Sequence, residues 1–229
     1  MEIHHLSWIS HLIEAWFHVH PPDHIVMAVF AALFLSGFSV WFRRRISVGN
    51  PGRLQLVLEA IVGGLLSLLR ENVGPKGRSF LGLVGTLALF IWVSNLLGLV
   101  PWFSSPTVSI NMPVGCALVA FLYYNWQGIR AQGARKYFAH FLGPSPYLAV
   151  VMLPVEAISH LSRILSLSVR LFGNIFGEEL VVIVLTFLVP FVVPLPMMAF
   201  GVFGSTLQAF VFTMLTVIYL GGAVAAEEH

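Results

Sequence analysis

Among the polar side chains that interrupt one apolar run of a 229-residue chain are Glu156, Ser159, His160, Arg163, Ser166, Arg170, Asn174, Glu178 and Glu179. Glutamate and histidine take up and release protons, while an arginine guanidinium stays charged at any physiological pH. At 100° per residue, Glu156, His160, Arg163, Arg170, Asn174 and Glu178 fall within about 80° of one another, and Glu179 lies off that stripe. Proton-exchanging groups on both sides of a fixed cation suit the passage of protons along two separate paths, with Arg170 keeping them from short-circuiting.

The rest of the chain says what surrounds that stripe. It is 58% hydrophobic before its 20 glycines are counted and only 10% charged, with a mean hydropathy of +0.88. Soluble domains are about 45–50% apolar with glycine included, and about a quarter of their residues are charged. A soluble globular protein is excluded, and most of the surface must face a bilayer. Ionisable groups at that depth cost at least ~2.5–3.5 kcal/mol each, so the stripe must meet water, partner charges or another protein. A net charge of +2 is too small to suggest nucleic-acid binding. The single cysteine, Cys116, excludes an internal disulfide and reads as a small hydrophobe in an apolar run.

The expected fold is all-α: a polytopic membrane protein of about five spans, with a long tilted C-terminal hairpin and one interfacial amphipathic helix. Residues 1–23 form an extracytoplasmic tail without the pattern of a cleaved signal peptide. Residues 24–229 form one transmembrane domain, with spans at 24–42, 79–100 and 111–127 and a short helix at 53–72. That helix carries Glu59 between Arg53 and Arg70, which fits the membrane surface better than a crossing. Tyr123, Tyr124 and Trp126 are expected at the interfacial end of the third span. Seven of the twelve basic residues lie in Arg43–Arg78 and three in Arg130–Lys136. These segments therefore stay in the cytoplasm, with the N-terminus outside and the C-terminus cytoplasmic.

The polar stripe lies in the hairpin, whose arms run over 147–189 and 195–226 around Pro190, Pro194 and Pro196. Leu148–Val189 is 42 residues, ~63 Å as a helix, about twice the bilayer core, so it must bend or tilt. Gly201, Ser205, Gln208 and Tyr219 share a face of the second arm. One antiparallel register pairs Arg170 with Gln208 and Glu178 with Gly201, where a missing side chain makes room for a carboxylate. Ser159, Ser162, Ser166 and Thr206 read as polar glue between helices. Arg170 does not, because no acid in the last helix lies near its level. A permanent cation there awaits an anion supplied from elsewhere.

Three other readings fit less well. An antiporter usually shows internal repeats, and none is present. A membrane metalloenzyme would need a ligand set, yet the only histidine-rich segment is the tail with His4, His5, His11, His18, His20 and His24, and there is no HExxH. No metal or cofactor is expected, and no glycine-rich phosphate loop is present. A plain anchor would not carry the stripe.

LSLSVRLFGNIFGEEL at Leu165–Leu180, with its RLFGN core around Arg170, resembles subunit a of the F-type ATP synthase membrane sector of bacteria. The ending LQAFVFTMLTVIYLGGAVAAEEH and the earlier PGRLQLVLEAIVG and WVSNLLGLVP resemble the same family, so the likeness runs from about His24 onward. The resemblance implies a stator subunit of a rotary machine in the bacterial inner membrane, without covalent catalysis of its own. Arg170 would face the carboxylate of a rotating c-subunit ring, and protons would cross by two offset half-channels, coupling their flow to rotation and ATP synthesis. Matching positions carry path roles to Glu156, Ser159, Asn174, Glu179 and Gln208. Implied partners are the c-ring, the b subunits of the peripheral stalk, the F1 sector through the complex, and membrane lipid. A well-known version of the pattern has a small residue where this chain has Glu178 and a histidine where it has Gly201. The register makes Glu178 a replacement that fills the same space from the other helix. His160, apolar in that version, is expected on the cytoplasmic path.

Overall fold

The computed structural model describes residues 22–47, 49, 51–100, 103–133, 137, 146–188 and 194–225. The N-terminal tail with most of the histidines, the hairpin turn, and Arg135 and Lys136 lie outside them. Six helices carry the described chain: α1 (Asp23–Arg43), α2 (Arg53–Val73), α3 (Leu81–Leu97), α4 (Asn111–Gln132), α5 (Pro146–Leu188) and α6 (Pro194–Ala225). No strand occurs among the described residues, and the fold is an all-α polytopic membrane protein.

Four stretches are long and apolar enough to cross a membrane: Asp23–Arg43, Pro75–Leu97, Val150–Leu188 and Leu195–Val224. Inside a bilayer every backbone polar group must be satisfied within the segment, which is why these runs are helical. Their hydroxyls follow the same rule. Ser36, Ser39, Ser168, Thr186, Thr213 and Thr216 each donate to the carbonyl four residues back at 2.7–2.9 Å. The helix bounds stay within a few residues of those expected. α4 runs on to Gln132, past the apolar edge, and stops where Gly133 takes φ +79°. A lone glycine adopts that conformation without strain. α5 continues through Pro154, which leaves one backbone acceptor without its helical donor.

α6 is the central post, packing against α2, α3, α4 and α5. Half of its most apolar eighteen-residue stretch is buried, against 11% in α5. Two buried clusters line the post. One gathers Ile91, Cys116, Ala117, Ala120, Leu167, Leu171, Ile175, Ala209 and Phe212 around the level of Arg170. The other gathers Leu69, Phe80, Val84, Tyr124, Val217, Leu220 and Val224 toward the end where α2 meets α6. There the backbones touch: a Cβ added to Gly221 would collide with the Asn72 carbonyl oxygen. Tyr124 is 2% exposed and packed among helices, while Trp126 on the same helix is 64% exposed. Helical phase decides the difference, turning Tyr124 toward α5 and α6.

A charged stripe between a buried polar layer and an open cavity

α5 is packed along one edge only. Leu167, Leu171 and Ile175 are buried, while Leu165, Ser166 and Val169 are exposed. Arg170 sits where the packed face gives way to the exposed one, and its side chain is exposed, without a hydrogen bond or ion pair among the described residues. The expected pairing with Gln208 is corrected by one turn. Asn174 Nδ2 donates to Gln208 Oε1 at 3.1 Å, because Asn174 lies about 40° closer to the packed face than Arg170 does.

Further along α5, Glu178 meets α6 at the glycines. A Cβ on Gly201 would fall on the Glu178 Oε1 atom and lie 2.6 Å from Leu99 Cδ2, and a Cβ on Gly204 would lie 3.4 Å from Glu178 Oε2. The carboxylate therefore occupies the volume that a side chain at position 201 would fill. α3 closes the same level. Its Trp92 indole N–H donates to Thr206 Oγ1 at 3.0 Å, and with Leu99 beside Gly201 this antiparallel register brings Ser94 level with Ser205 and Asn95 level with Gly204.

Ser94, Asn95, Ser205 and Gln208 are 0–4% exposed. Ser94 Oγ, Asn95 Nδ2, Glu178 Oε1, Ser205 Oγ and Gln208 Nε2 have no hydrogen-bond partner among the described residues. Leaving one buried polar atom unpaired costs about 1–3 kcal/mol, and ordered water is the usual remedy. Asn95 is braced on its other side by Thr107, whose hydroxyl donates to Asn95 Oδ1 at 2.8 Å, with Ser105 beside it at 2.7 Å. Sequence reasoning passed over Ser94 and Asn95. The signal was present: two adjacent polar side chains inside a span whose other polar residue is Thr86. Glu179 lies on the neighbouring face of α5, partly buried.

On the other side of Arg170 the stripe opens into a cavity of about 340 Å³, whose lining includes Tyr124, Tyr137, Glu156, His160, Arg163 and Tyr219. His160 Nε2 lies 3.4 Å from Glu156 Oε1, and its Nδ1 lies 3.3 Å from the Tyr124 hydroxyl. The Arg163 guanidinium sits over the Tyr219 ring, 5.1 Å from its centroid, a geometry that attracts the cation to the π face. Tyr137 donates its hydroxyl to Asn125 Oδ1. Burial pushes that phenol above its ordinary range, so it stays neutral and keeps its proton. Ser159 is partly buried beside this cluster. Ser162 and Ser166 are exposed on the outer face of α5 and make no interhelical hydrogen bond among the described residues, so only Thr206 of the expected glue residues links two helices.

A helical membrane protein with an unpaired guanidinium on its surface and proton-exchanging groups above and below it is built for ion transport. Its sequence says which kind. A profile of the ATP synthase A chain family matches residues 24–221. The ATP synthase subunit a of Campylobacter jejuni strain RM1221 is 47% identical over 180 residues, 78% of this chain and 80% of that one. That of Aliarcobacter butzleri is 48% identical over 184 residues, covering 78% and 79%, and that of Campylobacter concisus is 46% identical over 181, covering 78% and 80%. The chain belongs to the ATP synthase A chain family. It is a multi-pass membrane subunit of the CF(0) sector of ATP synthase and serves ion transport in ATP synthesis.

Proposed function

We propose that this chain is the stator of a rotary proton path and that Arg170 is the charge that meets the carboxylates of a c-subunit ring. The observation that carries the reading is the position of Arg170. Its guanidinium is exposed at the margin of α5, with the Glu178 layer ~12 Å along the helix on one side and His160 ~15 Å away on the other. A cation there attracts each deprotonated carboxylate that rotates past and raises the cost of a proton crossing directly between the two regions.

In this reading Asn174, Glu178, Glu179 and Gln208 line the outer half-channel, and Glu156, Ser159 and His160 line the inner one. The basic segments put the inner half-channel, the α4 and α6 C-termini and the chain's C-terminus on the cytoplasmic side of a bacterial inner membrane, with the N-terminus outside. A transmembrane potential does ~2.3 kcal/mol of work per charge per 100 mV, and two offset paths convert it into rotation of the ring. The b subunits of the peripheral stalk hold the stator, and the F1 sector uses the rotation.

Arg170→Ala tests this in inverted membrane vesicles. Expected is loss of ATP-driven proton pumping in complexes that still assemble, with added passive leak if the charge also seals the two paths. Normal pumping would sink the reading.

A further inference from the structure

The inner cavity holds an imidazole in a fixed frame. His160 projects from α5 between Glu156 of its own helix and Tyr124 of α4, one contact on each ring nitrogen, at 3.4 and 3.3 Å. The ring stacks on Tyr124 at 17° with centroids 6.3 Å apart, and meets Phe121 edge-on at 5.6 Å. Its side chain is 13% exposed and that of Glu156 is 34% exposed. The imidazole thus stands between the packed interior and a carboxylate that reaches cavity water.

We propose that the inner path passes its proton through the His160 imidazole, and that Tyr124 is the positioning residue that holds the ring between interior and cavity. The proposal rests on the ion-path reading given above. With the Nδ1 proton held on the Tyr124 oxygen, Nε2 is the exchanging atom. In pumping, Nε2 takes a proton given up by Glu156 or by cavity water, and the ring becomes imidazolium. That same N–H bond then breaks as the proton passes on toward the ring carboxylate, and the imidazole is neutral again. Synthesis runs the step in reverse. The groups around it act in opposite senses. Glu156 favours the imidazolium and Arg163, one turn further, opposes it. Tyr219 of α6 lies under Arg163, and Tyr137 closes the cavity beyond α4. Burial keeps the Tyr137 phenol protonated. An imidazole is the side chain suited to gathering protons from a medium in which free protons are scarce.

The test is ATP-driven pumping by the intact complex in inverted vesicles, with the medium on the cytoplasmic face set between about pH 6 and 8, the range a histidine spans. Each rate is divided by that of the unmutated complex at the same pH, which cancels the shared dependence of ATP hydrolysis. His160→Gln keeps hydrogen-bonding capacity at both ends but does not titrate. Its ratio is expected to fall about threefold from the acid to the alkaline end, because proton capture limits the rate where protons are scarcest. His160→Leu should follow the same profile. Tyr124→Phe keeps the stacked ring but frees the imidazole, so its ratio should fall about twofold in the same direction. A flat ratio for His160→Gln, whether at full or uniformly reduced rate, overturns the relay and leaves His160 a packing residue. Arg170→Ala in the same series separates the two failures. If it pumps, the ion-path reading is wrong; if it is dead while His160→Gln is flat, only the relay is wrong.

Discussion

The two polar regions flanking Arg170 are built on opposite principles. The Glu178 side is a closed layer in which Ser94, Asn95, Ser205 and Gln208 are almost fully buried and several of their polar atoms lack a partner among the described residues. The His160 side is an open cavity of aromatics and charges, in which His160 and Arg163 already have protein partners. Glycines at 201 and 204 make the first region, by removing side chains so that a carboxylate fits against the α6 backbone. Tyrosines at 124, 137 and 219 make the second, by holding polar tips at the ends of rigid rings. Unpaired buried atoms call for water, whereas the partly buried, partnered groups line an open cavity. One chain thereby presents a closed polar layer and an open cavity on either side of Arg170.

That contrast breaks most severely if the volume shared by positions 178 and 201 is emptied. Glu178→Gly should slow pumping by about tenfold or more, as loss of a proton-transfer group does. Adding Gly201→His should restore a substantial part of it, because the imidazole would enter the vacated space. A double variant no faster than the single one would separate the two positions in function despite their contact.

A smaller effect is expected at the seam where α2 meets α6. Gly221→Val drives a side chain into the Asn72 carbonyl, and overpacking of this kind costs about 1–3 kcal/mol. The amount of chain retained in membranes should fall several-fold, read by immunoblot, with pumping per retained complex changed much less.

Asn95→Leu sharpens the closed layer. If its Nδ2 holds water in the path, pumping should drop about threefold while assembly is unchanged, since a leucine fills the volume without binding water. An unchanged rate would make Asn95 only a brace for Thr107. The smallest effect belongs to Tyr137→Phe, which removes one hydroxyl that hydrogen-bonds Asn125 and should change pumping less than about twofold. A larger loss would extend the relay of the inner cavity to this tyrosine.

Much of this was legible in the sequence because membrane helices obey simple periodicity. The apolar runs gave the helices to within a few residues. The 100° step put Glu156, His160, Arg163 and Arg170 on one stripe, and antiparallel register brought Glu178 to Gly201, where the structure has it. The same register missed at Arg170, since a constant sum of residue numbers ignores the angular offset that hands Gln208 to Asn174. The contact of Tyr124 with His160 was not foreseen, because amphipathic rings suit both the headgroup region and a buried hydrogen bond. Ser94 and Asn95 were passed over because α3 shows no stripe, only Thr86 and this adjacent pair in an apolar span.

Composition and periodicity by themselves determined that this chain lives in a bilayer, that its long hairpin carries the ionisable groups, and that Arg170 has no acid at its level in the last helix. They suffice there because the cost of burying charge depends on residue type and depth, both readable along one dimension. Which groups on different helices meet was decided only by tertiary structure. Glu178 filling the side-chain space of Gly201, Ser94 standing level with Ser205, and Tyr124 reaching His160 depend on how α3, α4 and α5 are rotated about α6. That rotation is set by packing across the whole interface, which no single helix encodes.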